Sequence, residues 1–373
     1  MNKTMLVVAV GAVSGLLSVT AGCSGLGFKF APSPQKADEH YAAGQVLASK
    51  GDTSGALAEL KQAVAADPSH STAHTAIGDI HRRQGNFQLA RMSYESACNA
   101  NPYLFRPHYH LGVVLQKLAD DEKTADKYRE MLGKAVAAYL RAITIRGDDY
   151  DSNLNLSACF FQLAQYDRAE QYCQEAIKLD GKNPVAFNNL GIIYDCQGNL
   201  YKAIAAYNQS LELDVEQPKT LLNLGSTYMR QGRLGMAIRT YKLAGRQSPK
   251  DSAPHEQIGT AHFYAASSDE AMKSFTGDVD RPETSDMGQL RDWHEKRAAE
   301  AFDAALALNA KSPAAWRGKG VLLMSQHLRD RGNLALRNQA LEAWDKSLEL
   351  QPNQDDLRKL VAKYRPAPTL PKL

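Results

Sequence analysis

The sequence predicts an all-α fold, a solenoid of stacked helical hairpins that ends in a capping helix. Small residues recur every 34 positions, as Gly191, Gly225 and Gly259 and as Ala169, Ala203 and Ala237. Within each repeat, apolar residues are spaced so that they share one face of a helix. A hairpin this thin cannot bury both of its faces, so neighbouring hairpins must stack on one another.

The hairpin that begins near Pro184 shows the pattern most clearly. Its first helix carries Phe187, Leu190, Gly191 and Tyr194, and its second helix carries Ala203, Tyr207 and Leu211. Gly198 lies between the two helices, where a tight turn favours glycine. We expect Gly191 and Ala203 to mark the closest approach of the helices, with the aromatic rings filling the space on either side.

A period of 34 residues with Gly or Ala at fixed positions resembles the tetratricopeptide repeat. The resemblance extends over eight repeats in residues 37–352 and implies a right-handed superhelical solenoid. In that fold the first helices of the repeats line a concave groove. Residues 353–364 place apolar side chains on one face only, which predicts the capping helix, and residues 365–373 predict an extended tail because of their three prolines.

Three insertions separate the paired helices, near residues 117–130, 267–293 and 327–334. The first has helix-forming residues and is predicted to lengthen its hairpin. The second is polar and contains Gly and Pro, so it is predicted to be a mobile loop. The third is predicted to add about one helical turn to each helix of its repeat.

Residues 1–22 have the pattern of a bacterial lipoprotein signal peptide. An apolar run of 17 residues follows Lys3, which is short for a membrane-spanning helix. It leads into Thr20-Ala21-Gly22-Cys23, which resembles a lipobox in which Cys23 is lipidated and becomes the mature N-terminus. Thr20 departs from the leucine that is usual there, so secretory cleavage beside an unmodified Cys23 is the alternative.

The position after Cys23 is serine, and the absence of an aspartate there favours an anchor in the outer membrane over the inner membrane. Residues 23–36 are interpreted as the lipidated cysteine and a linker. We therefore expect a protein of the cell envelope, held at the membrane by its N-terminal lipid, with the repeat domain facing the periplasm.

Composition and motifs argue against several classes of function. Lys and Arg (44) nearly balance Asp and Glu (41), which is unlike a nucleic-acid-binding protein. Phosphate-binding loops and nucleophile motifs are missing, and the repeats leave no separate catalytic domain. We expect no enzyme activity, cofactor, metal site or small-molecule substrate.

Histidines and cysteines are the remaining reactive side chains. The fourth position of four repeats carries His40, His74, His108 and His255, which we interpret as packing residues rather than metal ligands. Buried small apolar residues are the interpretation of Cys98, Cys159, Cys173 and Cys196. A disulfide between Cys159 and Cys173 is left open by the sequence.

Amide side chains form the candidate binding site. The sixth position of four consecutive first helices carries Asn155, Asn189, Asn223 and Gln257, and one repeat earlier it carries His110. This row resembles the asparagine ladder in the repeat region of O-linked N-acetylglucosamine transferase, whose amides hold an extended peptide backbone. An amide can both donate to and accept from a peptide unit. The alternative is a packing role, since Asn is common at this position in unrelated repeats.

Lys219 extends the candidate site by one basic residue. Together with Asn223 it matches part of the carboxylate clamp of chaperone adaptors, whose other basic residues are missing here. The resemblance as a whole implies a membrane-tethered scaffold that holds a peptide or protein partner in its groove, of the kind used in secretion, pilus or envelope assembly. The alternatives are a structural subunit that uses the convex face and the insertions, and a periplasmic enzyme or metal carrier that uses the histidines.

Overall fold

The computed structural model describes residues 33–276 and 281–365, and within these residues all regular secondary structure is α-helical. The signal peptide, Cys23 and the predicted tail beyond Arg365 lie outside the described residues. The first eight helices are α1 (Pro34–Ser49), α2 (Thr53–Ala66), α3 (Ser71–Arg83), α4 (Phe87–Ala100), α5 (Phe105–Asp120), α6 (Ala125–Ile145), α7 (Tyr150–Gln162) and α8 (Tyr166–Leu179). The others are α9 (Pro184–Cys196), α10 (Leu200–Leu213), α11 (Pro218–Arg230), α12 (Leu234–Gln247), α13 (Ala253–Ala266), α14 (Asp269–Ser274), α15 (Met287–Leu308), α16 (Pro313–Arg329), α17 (Leu334–Leu350) and α18 (Asp355–Tyr364).

The helices pair into consecutive hairpins that stack along the chain. Each first helix packs against its own second helix, and each second helix packs against the first helix of the next hairpin. The seventh hairpin is formed by α13 and α15, with the short α14 between them. The prediction of an all-α solenoid is therefore confirmed.

The recurring glycines lie beneath aromatic rings of the second helices. The ring of Tyr207 lies over Gly191 and the ring of Tyr241 over Gly225, and both tyrosines are fully buried. The aromatic side chain was expected to fill the space beside the glycine, whereas it stacks directly on it. A Cβ atom at this position would overlap the ring, so the glycine makes room for the largest buried side chain of its repeat.

The turn inside each of the five uninterrupted hairpins uses a left-handed residue. Gly198 has φ 80° and Gly232 has φ 75°, the conformation that glycine adopts without steric cost. Ala164 stands at the equivalent position of the preceding hairpin and has φ 57°. Its hairpin closes with the same backbone geometry despite the added Cβ.

Two of the insertions lengthen helices as expected. In the third hairpin α6 has 21 residues, compared with 14 in α10 of an uninterrupted repeat. In the eighth hairpin α16 and α17 have 17 residues each. Both insertions therefore lengthen the hairpin, and consecutive hairpins still pack against one another.

Residues 277–280 of the second insertion lie outside the described residues, and its described parts differ from the mobile loop that the composition predicts. Residues 269–274 form α14, and residues 287–293 form the first two turns of α15. Met272 and Phe275 are buried, and Phe275 packs against the rings of His262, Trp293 and His294. The described residues of this segment are ordered because Met272 and Phe275 pack against the extended end of α15. Without this contact their apolar side chains would be exposed to water.

The two ends of the described chain are closed differently. At the N-terminal end α1 begins at Pro34, so helix starts inside the range that was interpreted as a linker, and Ser33 N donates to Ala66 O at 2.9 Å. At the other end α18 buries Leu357 and Val361 against the cluster around Trp344. Within the described ranges, no helix combines the length and the apolar character needed to cross a bilayer.

Candidate functional site

The first helices of the hairpins form the inner layer of the solenoid. From α3 to α13 the first helices of consecutive hairpins contact one another directly, in addition to contacting their own second helices. Helices on the inside of a curved stack lie closer together than those on the outside. The surface that α3, α5, α7, α9, α11 and α13 share is therefore the concave face, which we call the groove.

The predicted site residues share one stripe on these inner helices. On α9 the stripe is Val185, Asn189, Ile192 and Cys196, which are spaced by four, three and four residues and so lie on one face. Its two ends are exposed and its two middle residues are half-buried. On α5, α7 and α11 the stripe likewise has exposed ends and half-buried middle residues. Its second residue is His110, Asn155 and Asn223, respectively.

Gln257 continues the row on α13, where it too is half-buried. The structure thus brings all four predicted amides to the same height on four consecutive inner helices. Lys219 is exposed at the first position of the α11 stripe, one helical turn before Asn223. The row is therefore a continuous line of partly accessible amides with one lysine beside it.

The amides differ in their internal hydrogen bonds. Asn223 Nδ2 donates to Asn188 Oδ1 of the preceding repeat at 3.2 Å, and Asn155 Nδ2 lies 3.5 Å from Tyr109 Oη. Asn189 and Gln257 have no side-chain hydrogen bond within the described residues. Two amides are thus partly engaged between repeats, whereas two have their full donor and acceptor capacity available in the groove.

His110 lies in the same row, and its ring packs against neighbouring aromatic rings. Its imidazole lies 5.6 Å from the ring of Tyr94 and 5.1 Å from that of Tyr109, and Nε2 is 3.7 Å from Asp79 Oδ1. Burial lowers the pKa of His110 to about 4, and this effect outweighs the opposite influence of the nearby carboxylate. His110 is therefore neutral at neutral pH and cannot act as a cationic contact in the groove.

A set of polar bonds between neighbouring inner helices escaped the sequence analysis. Thr220 Oγ1 donates to Asn188 Oδ1 at 3.1 Å, and Arg230 Nη1 lies 2.7 Å from Asp195 Oδ1. Each bond joins residues of consecutive repeats, which are separated by 32 and 35 residues in the chain. A separation close to the repeat period is the signal that could have identified them.

Four family models, each described as a tetratricopeptide repeat, match residues 41–104, 150–183, 184–216 and 220–253. The chain is a tetratricopeptide repeat protein. The matched segments fall on the same hairpins that the repeat period defines.

Individual proteins match this chain at low sequence identity or over short segments. Over 71 residues the chain is 31% identical to a protein O-mannosyl-transferase of Caenorhabditis elegans. The aligned segment covers 19% of this chain and 10% of the relative. Over 134 residues it is 26% identical to a BBSome complex member of Bos taurus, and this aligned segment covers 35% of this chain and 23% of the relative. The chain thus spans less than a quarter of the length of these curated relatives. A solved tetratricopeptide repeat protein from Parabacteroides merdae is 18% identical, with a TM-score of 0.49 over 74% of this chain and 94% of that one.

Two of the repeat histidines fasten the loops between tetratricopeptide repeats. His74 Nε2 donates to Pro68 O at 3.0 Å, and His108 Nε2 donates to Pro102 O at 3.1 Å. Trp316 stands at the same repeat position and donates to a carbonyl six residues earlier in the same way. Across residues 33–276 and 281–365, no three His, Cys, Asp or Glu side chains converge in a way that could hold a metal ion.

Cys159 and Cys173 are buried as expected, whereas Cys98 is half-buried and Cys196 is exposed, because Cys196 lies at the end of the α9 stripe in the groove. Cys98, Cys159, Cys173 and Cys196 are all free thiols, so the disulfide that the sequence left open is not formed. Cys173 stands one repeat period before Tyr207, and Cys159 is buried in the same hairpin. Burial raises the pKa of both thiols to about 12, which keeps them protonated and unreactive at neutral pH.

Proposed function

We propose that this protein is a non-enzymatic scaffold that binds an extended segment of a protein partner along the groove. The observation that carries the proposal is the row of Asn155, Asn189, Asn223 and Gln257 on consecutive inner helices. Amides spaced along a groove suit the backbone of an extended peptide, because every peptide unit presents one donor and one acceptor. The tetratricopeptide repeat family supports the same conclusion, since its members are typically interaction scaffolds.

The stripe on α9 supports the proposal further. Val185 and Ile192 flank Asn189, so the amide stands between apolar side chains that are partly accessible. A bound segment could place its backbone on the amide and its apolar side chains on the neighbouring residues. This combination gives both orientation, from the hydrogen bonds, and affinity, from buried apolar surface.

Photocrosslinking in cells tests the groove directly. We expect a photoreactive amino acid in place of Asn189 to capture a partner protein. The same amino acid in place of Tyr201, which is 84% exposed on the second helix α10, should not capture it. A crosslink that forms equally from both positions, or one from Tyr201 alone, would contradict binding in the groove.

The proposal also places the scaffold in the bacterial cell envelope, tethered to a membrane by a lipid on Cys23. The apolar run of residues 1–22 and the small residues before Cys23 support this placement. A tether of this kind would keep the groove near the bilayer, within reach of partners in secretion, pilus or envelope assembly.

Replacing Cys23 with serine tests the tether. We expect the Cys23→Ser variant to accumulate either as a soluble protein or as an uncleaved precursor, because serine cannot receive the thioether-linked lipid. Fractionation followed by mass spectrometry of the N-terminus measures both outcomes. Cys196→Ser is the matched control, because this exposed thiol should leave the distribution unchanged. A Cys23→Ser variant that is cleaved at the same site and still fractionates with membranes would contradict the lipid anchor.

A further inference from the structure

A cleft opens on the concave face at the N-terminal end of the solenoid. It has a volume of about 590 Å³ and lies between α1, α3 and the start of α5. Leu60 and Ile80 form its apolar floor, and the rings of Tyr41 and Phe105 stand at its sides. The cleft is separate from the amide row, since its lining comes from the first three repeats.

Arginine dominates the polar part of this cleft. Its lining includes Arg82, Arg83, Arg106 and Arg146, whereas Asp79 is the one acidic residue in it. The Asp79 carboxylate already accepts a hydrogen bond from Tyr94 Oη at 2.7 Å and pairs with Arg106 at 2.7 Å. Because the whole chain has a net charge of only +3, this is a local concentration of positive charge.

Two of the four guanidinium groups, those of Arg106 and Arg146, make contacts that hold them in place before any ligand binds. Arg106 is fixed by Asp79, and Arg146 stacks on the ring of Phe105, 3.8 Å from its centroid, with Asp149 at 3.6 Å. Arg82 has a buried Nε that makes no hydrogen bond within the described residues. Ordered guanidinium groups bind carboxylates with paired hydrogen bonds and lose little conformational entropy in doing so.

We propose that this cleft binds an acidic segment of the peptide partner, with carboxylates on the arginines and an apolar side chain on the floor. This inference rests on the proposed function, which supplies the class of partner. It adds that one end of the bound segment is acidic and that this end lies in the cleft. The apolar floor favours a peptide over a nucleic acid, which would need a longer basic surface.

The position of the cleft relative to the amide row fits one continuous ligand. Two helix spacings separate α7, which carries Asn155, from α3, and each spacing is about 8–10 Å. An extended chain covers this distance with about five or six residues. A peptide that lies along the amide row would therefore reach the cleft with an acidic stretch at one end.

Two labelled peptides test the charge requirement on the full chain. One alternates four glutamates with leucine and alanine, and the other carries glutamine in place of each glutamate. By fluorescence anisotropy at low salt, we expect the glutamate peptide to bind at least tenfold more tightly, and the difference to shrink in 300 mM salt. Equal binding of the two peptides, or no binding of the glutamate peptide, would overturn the proposal. Tighter binding of an oligothymidylate with the same number of charges would overturn it as well.

A pair of double variants assigns the binding to the cleft. Arg83→Gln with Arg146→Gln should weaken binding of the glutamate peptide at least tenfold. Arg129→Gln with Lys134→Gln removes the same charge from the exposed surface of α6 and should change it less than twofold. Both variants should fold, since Arg83 and Arg146 are exposed residues, and circular dichroism checks this. Equal effects of the two double variants would overturn the assignment.

These outcomes are independent of the groove test. If the cleft variant binds the glutamate peptide normally while Asn189 still crosslinks to a partner, the scaffold function stands and the acidic end point is wrong. If the peptides are discriminated but no crosslink forms at Asn189, the cleft is an anion-binding site and the amide row is not a peptide groove.

Discussion

Tyr241→Ala is expected to lower the free energy of unfolding by about 3–5 kcal/mol, as for other large aromatic side chains removed from a core. The ring is fully buried between α11 and α12, directly over Gly225. Alanine would leave a cavity above a residue that has no side chain to fill it. The loss of the hydroxyl contact with Ser226 Oγ, at 3.2 Å, adds to the cost. Denaturant unfolding monitored by circular dichroism measures the effect.

Tyr201→Ala is the matched control for this prediction. Tyr201 lies on the second helix of the preceding repeat and is 84% exposed, so its removal should change the unfolding free energy by less than about 0.5 kcal/mol. In a solenoid the cost should also be local, with amide exchange rising first in α11 to α13. Two variants that unfold at the same denaturant concentration would show that the glycine–ring contact does not stabilise the stack.

The repeat period explains why most of the fold could be predicted from the sequence. A recurring Gly191, Gly225 and Gly259 fixes where the inner helix must approach a ring, and the spacing of apolar residues fixes the buried face of each helix. The capping helix expected over residues 353–364 is α18, from Asp355 to Tyr364, and its buried residues Leu357 and Val361 lie on one face. These features depend on short-range spacing, which a single sequence displays.

The described parts of the second insertion could not be predicted in the same way because their order comes from contacts between distant residues. Met272 and Phe275 are isolated apolar residues in a polar stretch, and spacing alone does not show what they cover. Phe275 packs against His262 before the insertion and Trp293 after it. Gly235 on α12 lies against the backbone of Thr276, so that segment also needs a small residue from another repeat.

The positions of the candidate-site residues could be predicted from the sequence, but their contacts could not. The position of each amide follows from the period, and the structure puts all four on the groove. Their hydrogen bonds do not follow from it, because Asn188 and Tyr109 are not repeated residues. The arginine cleft was missed for a related reason, since Arg82, Arg106 and Arg146 come from three separate segments that meet only in the folded stack.

The triple variant Asn155→Ala, Asn189→Ala and Gln257→Ala is expected to weaken binding of the partner captured at Asn189 by about ten- to a thousand-fold. Each hydrogen bond to a peptide backbone contributes about 0.5–1.5 kcal/mol net, and the three sites lie on different helices and so should act additively. Isothermal titration calorimetry with the purified partner measures the affinity, and the melting temperature is measured on the same samples.

Stability separates a binding role of these amides from a packing role. Asn189 and Gln257 make no side-chain hydrogen bond within the described part of the chain, and the Asn155 contact is long, so the triple variant should melt close to the wild type. Asn188→Ala is the contrasting control, because Asn188 accepts from the buried Thr220 hydroxyl and from Asn223. Its loss should cost about 1–3 kcal/mol of stability and leave the affinity nearly unchanged. A triple variant that melts much earlier but binds its partner normally would assign the amide row to packing between repeats and exclude it as the peptide groove.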